Sequence, residues 1–292
     1  MSDRPTEIVL HLGAHKTATT HLQRSIRRRV KALSAAGVHF HGPQQLRGPG
    51  LSLPERFGLS LPGAGRPHRG DPARALADLV PGGGRLVLSE ENFAGHLQGR
   101  LGRVPTPLYP KAATRCGALS RAAGVGSVTV ALALRNPSDF LTSAYSQLLI
   151  GGRRVPPTDF MARNPLMGID WADLVARLAA RPEVREVIVW RYEDYAPLFR
   201  TICTALLGPA GEVVVPMAGR VHRGLSRGAV AALLAGGGPD RDVAAIRDAH
   251  PIGPGNPALE VFSAEDHELS QEFYADQTAR IAALPCVTLL RR

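Results

Sequence analysis

The amino-acid sequence predicts an α/β fold in which one doubly wound parallel sheet is flanked by helices, within a single domain that spans residues 1–292. Three observations support this. Short apolar segments with the composition of strands alternate along the chain with segments of helical pattern, as in parallel sheets. The segment at 127–134 is almost continuously apolar, which is typical of a strand buried on both faces. The segment at 8–12 runs into a glycine and three threonines, which is the composition of an anion-binding turn before a helix.

Length and composition bound the classes of protein that fit. With 292 residues the chain can bury one sizeable core, and nothing in it requires a second domain. The 35 Lys and Arg residues outnumber the 25 Asp and Glu residues, which suits an acidic ligand and equally fits an arginine-rich composition without a functional cause. The three cysteines, Cys116, Cys203 and Cys286, are widely spaced and predict neither a disulfide framework nor a metal site.

The sequence also predicts where the protein resides. Asp3 and Glu7 accompany only a short apolar run, so we expect no signal peptide. No segment approaches the roughly 20 apolar residues of a membrane span. We therefore expect a cytoplasmic protein.

The first strand and the turn after it are the most informative part of the sequence. Apolar residues over 8–12 predict a strand, and Gly13 begins a tight turn. Free backbone N–H groups and the positive end of a helix dipole attract an anion at such a junction. Lys16 adds a mobile cation, and three threonines add hydroxyl groups, namely Thr17, Thr19 and Thr20. The sequence therefore predicts an anion site over 13–20.

The next elements lead to a pair of carboxylates. The helix predicted over 19–36 is rich in arginine but has no interleaved aromatic residues for stacking, so we expect a solvated face and no nucleic-acid site. A short strand follows at 37–41, and the proline and glycine content of 42–70 predicts an irregular, substrate-side loop or a lid. The strand at 85–89 then delivers Glu90 and Glu91 to the edge of the sheet where ligands bind. We expect Glu91 to cap the following helix.

A second candidate ligand-binding turn follows the strand at 127–134. Asn136 is expected to cap the next helix and Pro137 to occupy its first turn. Arg135 lies at the carboxyl end of the strand, and Ser143 lies about two helical turns further on. The remaining predicted elements are a strand at 187–190, an irregular segment at 236–258, and a closing helix from Ser263 to about residue 284.

The turn over 13–20 resembles the 5′-phosphosulfate loop of sulfotransferases that use 3′-phosphoadenosine 5′-phosphosulfate (PAPS), in particular the bacterial branch. The shared order is H-K-T-x-T-T, whereas the ATP-binding pattern G-x-x-x-x-G-K-[ST] and the dinucleotide pattern G-x-G-x-x-G are both missing. The family usually has glycine where this chain has Ala18, and an alanine fits there if the residue is already helical. The R-N-P-x-D segment from Arg135, with Ser143, matches the segment that holds the cofactor's 3′-phosphate in that family.

The resemblance implies a P-loop-like sulfotransferase architecture and a set of cofactor-binding residues. The Y-E-D sequence that begins at Tyr192 corresponds to an element near the adenine, and plain packing is the alternative for this tyrosine. Arg223 with Gly224 matches a basic loop that returns over the 3′-phosphate. The residues that the resemblance implies in PAPS binding are Gly13, His15, Lys16, Thr17, Ala18, Thr19, Thr20, His21, Arg135, Ser143, Tyr192, Arg223 and Gly224.

The implied reaction is in-line transfer of a sulfuryl group from PAPS to a hydroxyl or amine, without a metal. Lys16 would neutralise the charge that develops on the leaving group. A general base must take the acceptor's proton. We predict Glu90 in this role, with His41 and His39 as alternatives, whereas His11 within the first strand is expected to be a satisfied sheet residue.

Two other functions stay open at this stage. A P-loop kinase or phosphotransferase would use ATP and would need a strand that ends in an aspartate for magnesium, but the nearest candidate strand ends in Ser89 and Glu90. A catalytically silent nucleotide-binding protein of the same fold is the other. The acceptor has no readable signature among small molecules, glycans and lipids, although an aromatic content of 5% disfavours a large apolar pocket. Nothing in the sequence predicts an oligomeric state.

Overall fold

The computed structural model of the protein describes residues 5–60, 69–219, 224–236 and 242–292. Within these residues six strands form one sheet, and every neighbouring pair is parallel. The strands are β1 (Pro5–Gly13), β2 (Val38–His41), β3 (Gly84–Ser89), β4 (Val128–Leu134), β5 (Val184–Arg191) and β6 (Val287–Leu289). Their order across the sheet is β2-β3-β1-β4-β5-β6. The predicted parallel α/β sheet is therefore confirmed.

The helices connect these strands. In the described part of the chain they are α1 (Thr19–Arg27), α2 (Val30–Ala35), α3 (Pro43–Leu46), α4 (Leu53–Arg56), α5 (Pro72–Leu79), α6 (Glu91–Ala94), α7 (Ala112–Ala122), α8 (Pro137–Ile150), α9 (Pro157–Arg163), α10 (Trp171–Ala179), α11 (Phe199–Leu207), α12 (Arg227–Ala235), α13 (Val243–Ala249) and α14 (Ala264–Ala282). Short 3-10 turns occur at Arg100–Gly102, Leu166–Gly168, Tyr192–Asp194 and Gly208–Val213.

Both faces of the sheet are covered by helices. Successive side chains of a strand point to opposite faces, so Ile8 and Leu10 of β1 pack into one buried cluster while Val9 packs into another. The first cluster includes residues of α7, α8, α10 and α14, and the second includes residues of α1 and α11. This arrangement confirms the doubly wound architecture.

The strand order also locates the ligand crevice. The chain leaves β1 towards β2 on one side of the sheet, and it leaves β4 towards β5 on the other. Ligands of such sheets bind outside the carboxyl ends of the strands, where the direction of winding reverses. In this sheet the reversal lies between β1 and β4, so the turn after Gly13 and the turn at Arg135 lie side by side.

The helix predicted over 19–36 is two helices. α1 ends at Arg27, Arg29 leaves the helical conformation with φ −115° and ψ 9°, and α2 follows. The break lets α2 bury Leu33 in the same cluster as Leu22 and Ile26 of α1. The arginines of α1, Arg24 and Arg27, are exposed, as expected of a solvated face.

The two segments predicted to be irregular contain short helices. Pro43 and Pro54 occupy the first turns of α3 and α4, where a missing N–H leaves no bond unmade, so proline there starts a helix. Asp242 caps α13 in the same way as Ser52 caps α4. Residues 61–68 and 237–241, which complete these two segments, lie outside the described residues.

The end of the chain differs from the prediction by one strand. The closing helix α14 has the predicted cap, because the side chain of Ser263 accepts a hydrogen bond from the backbone N–H of Asp266. Beyond it, β6 pairs with β5 at the edge of the sheet. This strand is only three residues long, which is too short for an alternating pattern to identify.

Candidate functional site

Gly13 ends β1 and begins the anion-binding turn. Its φ of 100° lies in the region that favours glycine. A Cβ atom at this position would lie 3.1 Å from the Cβ atom of Glu91. The turn therefore approaches the end of β3 more closely than a larger residue allows. On the other side, the backbone N–H of Ala14 donates to the carbonyl of Ala133 at 3.3 Å, which joins the turn to β4.

The backbone of the turn presents free donors. Lys16 and Ala18 both have left-handed conformations, with φ values of 65° and 62°. The N–H groups of Lys16, Thr17 and Ala18 make no hydrogen bond to any other described residue, and no side chain caps α1. Free N–H groups in such a turn, together with a helix N-terminus, form an anion-binding concavity. The condition for an alanine to fit at position 18, an already helical residue, is not met, because α1 begins only at Thr19.

Two of the three threonines close the turn upon itself. The hydroxyl groups of Thr17 and Thr19 donate to the carbonyl of Ala14 at 2.7 and 3.0 Å. Both side chains are buried, and Thr20 is half-buried. Since the Thr17 and Thr19 protons are used internally, the donors that remain for an anion in this turn are the backbone N–H groups, the Thr20 hydroxyl and Lys16.

Arg135 lies against the turn, as the strand order requires. Its Nη1 donates to the backbone carbonyl of Lys16 at 2.8 Å, and its guanidinium carbon lies 4.5 Å from the ring centroid of Tyr192. The indole N–H of Trp171 donates to the Arg135 carbonyl at 2.8 Å. The Nε atom of Arg135 is buried and makes no hydrogen bond. Lys16, Arg135 and Tyr192, which are far apart in sequence, are therefore brought together.

Burial changes the charge balance at Lys16. Desolvation lowers the pKa of the Lys16 amine below its ordinary value, and the nearby positive charge of Arg135 lowers it further. The Lys16 side chain is half-buried and has no hydrogen bond or ion pair to another described residue. Two cations without a compensating anion favour binding of an anionic ligand between them.

The turn after Arg135 is held by α14. Asn136 caps α8 as predicted, because its side chain accepts from the backbone N–H of Ser138 at 3.1 Å. The same oxygen accepts from the hydroxyl of Ser270 at 2.7 Å. Glu193 accepts from the backbone N–H of Asn136 at 2.9 Å and from the hydroxyl of Tyr274 at 3.1 Å. Ser270 and Tyr274 could not be recognised from the sequence, because they lie within a helix that carries no motif.

Three other predicted cofactor residues, Ser143, His21 and Gly224, are not joined to the turn by side-chain hydrogen bonds in the described part of the chain. Ser143 is half-buried on α8. Gly224 is exposed, and Arg223 lies outside the described residues. The ring of His21 is held by the hydroxyl of Tyr195 at 2.7 Å and by the carbonyl of Met217 at 2.9 Å. Their roles in cofactor binding stay predictions.

Glu90 and Glu91 contact the same guanidinium, that of Arg47. Nε and Nη2 of Arg47 donate to the two carboxylate oxygens of Glu90, both at 2.7 Å, and Nη2 also donates to Oε1 of Glu91 at 2.8 Å. Oε1 of Glu90 also accepts from the backbone N–H of Asn92 at 2.8 Å. The prediction that Glu91 caps the following helix is wrong. Glu90 is the cap, because α6 starts at Glu91 and only the preceding side chain reaches back to the free N–H groups.

Glu91 faces the anion-binding turn. Its Oε2 has one long contact, 3.4 Å to Nε2 of Gln23, and the same Gln23 nitrogen donates to the hydroxyl oxygen of Ser89 at 3.0 Å. Burial acts to raise the pKa of Glu91, but hydrogen bonds from its own backbone N–H and from Arg47 outweigh burial, so the pKa lies below its usual value. Glu91 is therefore a carboxylate at neutral pH.

His15 belongs to a network that the sequence did not reveal. Its backbone N–H donates to the hydroxyl oxygen of Tyr109 at 3.3 Å, its Nδ1 lies 2.9 Å from that oxygen, and its Nε2 lies 3.2 Å from Oδ1 of Asn92. Burial raises the pKa of Tyr109 and lowers that of His15. A protonated Tyr109 donating to Nδ1 assigns the imidazole proton to Nε2, which donates to Asn92. Tyr109 itself lies between two prolines, with its carbonyl bound by Arg177.

The remaining histidines lie in two places. His11 is buried within the sheet with Nδ1 2.7 Å from the hydroxyl of Ser89, and burial lowers its pKa to about 4. The expectation of a satisfied sheet residue is confirmed. His41 uses its Nε2 to donate to the carbonyl of Leu79 at 2.7 Å. His39 and His41 belong to β2 at the edge of the sheet, separated from β1 by β3.

Two further features concern metal-binding proteins and membrane-spanning proteins. Within residues 5–60, 69–219, 224–236 and 242–292, no group of three or more His, Cys, Asp or Glu side chains is placed to hold a metal ion. None of the helices in those ranges combines the length and the apolar character that crossing a membrane requires.

Comparisons with known proteins give one structural likeness. No protein-family model matches the chain, and no curated protein matches it. Among solved structures, the chain is similar to the crystal structure of a sulfotransferase from Alicyclobacillus acidocaldarius, with 18% sequence identity and a TM-score of 0.47. The match covers 96% of this chain and 95% of that one.

Proposed function

We propose that the protein is a sulfotransferase that uses PAPS and transfers its sulfuryl group to a hydroxyl or amine of a small-molecule, glycan or lipid acceptor. The observation that carries this proposal is the donor set at the reversal point of the sheet. Three free backbone N–H groups over 16–18, the Lys16 amine and the Arg135 guanidinium with its unpaired Nε all lie at one junction. Such a set fits a ligand with two separate anionic groups.

Each residue has a task in this proposal. The N–H groups of the turn and the N-terminus of α1 hold the 5′-phosphate, and Arg135 pairs with the 3′-phosphate while Tyr192 lies beneath its guanidinium. When bound, PAPS supplies the sulfuryl group. Lys16 stabilises the charge that accumulates as the bond to the 5′-phosphate breaks. The half-buried setting of Lys16 strengthens this interaction, because water screens it less.

The general base remains part of the proposal. Two carboxylates follow β3 beside the turn, and a Cβ atom added to Gly13 would lie only 3.1 Å from the Cβ atom of Glu91, so the turn and Glu91 are close neighbours. Glu90 is the base that the sequence predicts, with His41 and His39 as alternatives. The geometry favours the carboxylates over these histidines, since His41 already donates to Leu79 and β2 lies two strands from β1.

The use of ATP by a kinase is the alternative function that the geometry supports less well. A magnesium ion bound to a nucleotide needs a carboxylate with free oxygens at the end of a neighbouring strand. At the end of β3 both oxygens of Glu90 are held by Arg47, and the same guanidinium binds Oε1 of Glu91. The positive charge of Arg47 between the two carboxylates therefore disfavours a second cation there.

Calorimetry with a matched pair of variants tests the proposal. We expect 3′-phosphoadenosine 5′-phosphate to bind wild-type protein without metal, and ATP to bind far more weakly with or without magnesium. Arg135→Ala should weaken binding of that nucleotide by about 2–4 kcal/mol, the scale of a lost buried charge pair, but should change adenosine 5′-phosphate binding little. Arg28→Ala, at an exposed position directly after α1, is the control for net charge.

Two results would overturn the proposal. One is tighter binding of magnesium-ATP than of 3′-phosphoadenosine 5′-phosphate. The other is an Arg135→Ala protein that keeps the wild-type preference for the 3′-phosphorylated nucleotide. Turnover of labelled PAPS then separates an active transferase from a catalytically silent nucleotide-binding protein.

A further inference from the structure

The two carboxylates at the end of β3 are adjacent in sequence but are not held alike. Glu90 receives three hydrogen bonds of 2.7–2.8 Å, two from Arg47 and one from the backbone of Asn92, and its side chain is 6% exposed. From other described residues Glu91 receives one short bond, from Arg47 to Oε1, and its side chain is 15% exposed. Oε2 of Glu91 has only the 3.4 Å contact to Gln23.

We propose that Arg47 is a positioning residue that gives the two carboxylates different roles. It binds both oxygens of Glu90, which thereby has a structural role. It binds only Oε1 of Glu91 and so orients Glu91 as the general base of the reaction. This inference rests on the proposed sulfotransferase function and revises its base. Arg47 belongs to the segment after α3, so the same contact also ties that segment to the catalytic edge of the sheet. The Arg47 side chain is 43% exposed.

The step assigns every proton and electron pair. The acceptor oxygen forms a bond to sulfur while the bond from sulfur to the 5′-phosphate oxygen breaks, and the electron pair of that bond leaves with the nucleotide product, beside Lys16. The acceptor's proton passes to Oε2 of Glu91. Oε2 can accept it because its lone pairs are almost unused, whereas both oxygens of Glu90 would have to give up short, charge-assisted bonds first.

Arg47 is the dominant charged group around the Glu91 carboxylate. Burial lowers the pKa values of His11 and His15, so both rings are neutral at working pH. Glu90 has its charge balanced by the same guanidinium. On the α7 side, Arg115 donates to the backbone carbonyls of Asn92 and Phe93. Arg47 therefore keeps Glu91 ionised and ready to accept a proton.

Carbon-13 NMR titration of the glutamate carboxyls measures this directly and needs no acceptor. Labelled glutamate is incorporated, and the Glu90→Gln and Glu91→Gln variants assign the two signals. Arg47→Met keeps the apolar stem and removes the charge, so we expect the titration midpoint of Glu91 to rise by about 1–3 pH units. Arg47→Lys keeps the charge and should restore most of the wild-type midpoint.

Melting and turnover separate the two carboxylates. Glu90→Gln should lower the melting temperature more than Glu91→Gln, because it breaks the cap of α6 and the paired bonds to Arg47. Sulfate release from labelled PAPS, with water as acceptor, should fall about 10²–10⁴-fold in Glu91→Gln. In Glu90→Gln it should fall less than about tenfold per folded molecule, since the base is still present.

The outcomes distinguish this inference from the proposed function. If wild-type protein binds 3′-phosphoadenosine 5′-phosphate but Arg47→Met leaves the Glu91 midpoint unmoved, the inference is wrong and the function stands. The same holds if Glu90→Gln abolishes sulfate release while Glu91→Gln does not. If the wild-type protein does not bind the nucleotide, the proposed function itself is wrong. Should water be too poor an acceptor to give a rate, the titration and the melting temperatures decide.

Discussion

The two sides of the crevice are built on opposite principles. On the side of β1 and β4, donors lack partners within the described chain: the N–H groups over 16–18, the Lys16 amine and Nε of Arg135. On the side of β3, the polar groups are already paired with one another, from Arg47 through Glu90 and Asn92 to His15. An unpaired buried donor destabilises the free protein until a ligand binds it, whereas a paired network fixes geometry without a ligand.

The difference indicates which side supplies affinity and which supplies orientation. On the β1 and β4 side, removal of the Lys16 amine should alter binding or rate and leave the folded protein stable, because the amine makes no internal bond in the described chain. Arg135 on the same side also donates to the carbonyl of Lys16, so its removal costs one internal bond. Changes on the β3 side should alter stability as well, because each residue there holds another. The predictions below test this comparison, from the largest expected effect to the smallest.

Lys16→Ala should have the largest effect. It removes the cation that faces the breaking bond, so the turnover number should fall by two orders of magnitude or more, about 2.7 kcal/mol or above. Nucleotide affinity should change less, and the melting temperature should not fall, because the amine makes no internal bond in the described chain. Rate, calorimetry and melting are measured on the same preparation, with Lys31→Ala on the exposed face of α2 as control.

A lowered melting temperature with a normal rate per folded molecule would make Lys16 a structural residue. In that case side chains on both sides of the crevice would contribute to stability. The N–H groups over 16–18 would then act on the ligand without the Lys16 amine.

His11 provides a stability test on the paired side. Its folded-state pKa of about 4 lies below the value near 6.5 of an unfolded histidine. The unfolded chain therefore binds a proton first, so the stabilisation is complete above pH 6.5 and is lost as the pH falls towards 4, by about 3 kcal/mol in total. Chemical denaturation at pH 7 and pH 4.5 measures it.

His11→Asn should show a smaller loss of stability over this interval than wild type. His96→Gln, at an exposed position, should behave as wild type does. An equal loss in all three proteins would mean that carboxylates alone cause the acid sensitivity and that the His11–Ser89 pair does not contribute.

The sequence was sufficient for the parts of the molecule that local pattern determines. The alternation of strands and helices and the cap at Asn136 follow from apolar runs and capping residues. That Lys16 and Arg135 serve one ligand was implied by the resemblance of their two motifs to one family. Arg47 and Tyr109 could not be found in this way. Arg47 lies in a segment dominated by proline and glycine, and its partners are 43 and 44 residues away.

The exchange of roles between Glu90 and Glu91 has a similar cause. A helix boundary predicted from sequence is uncertain by a residue or two, and a shift of one residue decides which of two adjacent carboxylates becomes the cap. Once Glu90 is the cap, the next side chain is rotated by about 100° around the helix axis, which directs Glu91 towards Gly13. The assignment of the general base to Glu90 or Glu91 therefore depended on the first residue of α6, which a sequence pattern cannot determine.

Ala18 should show the smallest effect, in the stabilising direction. An alanine at φ 62° carries a strain that glycine does not, of about 1 kcal/mol. Ala18→Gly should therefore raise stability by up to about 1 kcal/mol, less the entropy that glycine loses on folding. Ala32→Gly, at an exposed position within α2, should lower stability by about 0.5–1 kcal/mol instead.

Opposite signs for the two substitutions would show that the left-handed conformation of residue 18 exists in solution. The same sign for both would mean that residue 18 is helical there and that the free N–H groups of the turn are fewer than the structure presents. Nucleotide calorimetry on Ala18→Gly adds a second comparison. Glycine fits the left-handed conformation with less strain, but it also leaves the turn more flexible before the nucleotide binds. A gain in stability without a gain in nucleotide affinity would therefore show that the strain belongs to the protein itself and not to the contact with the ligand.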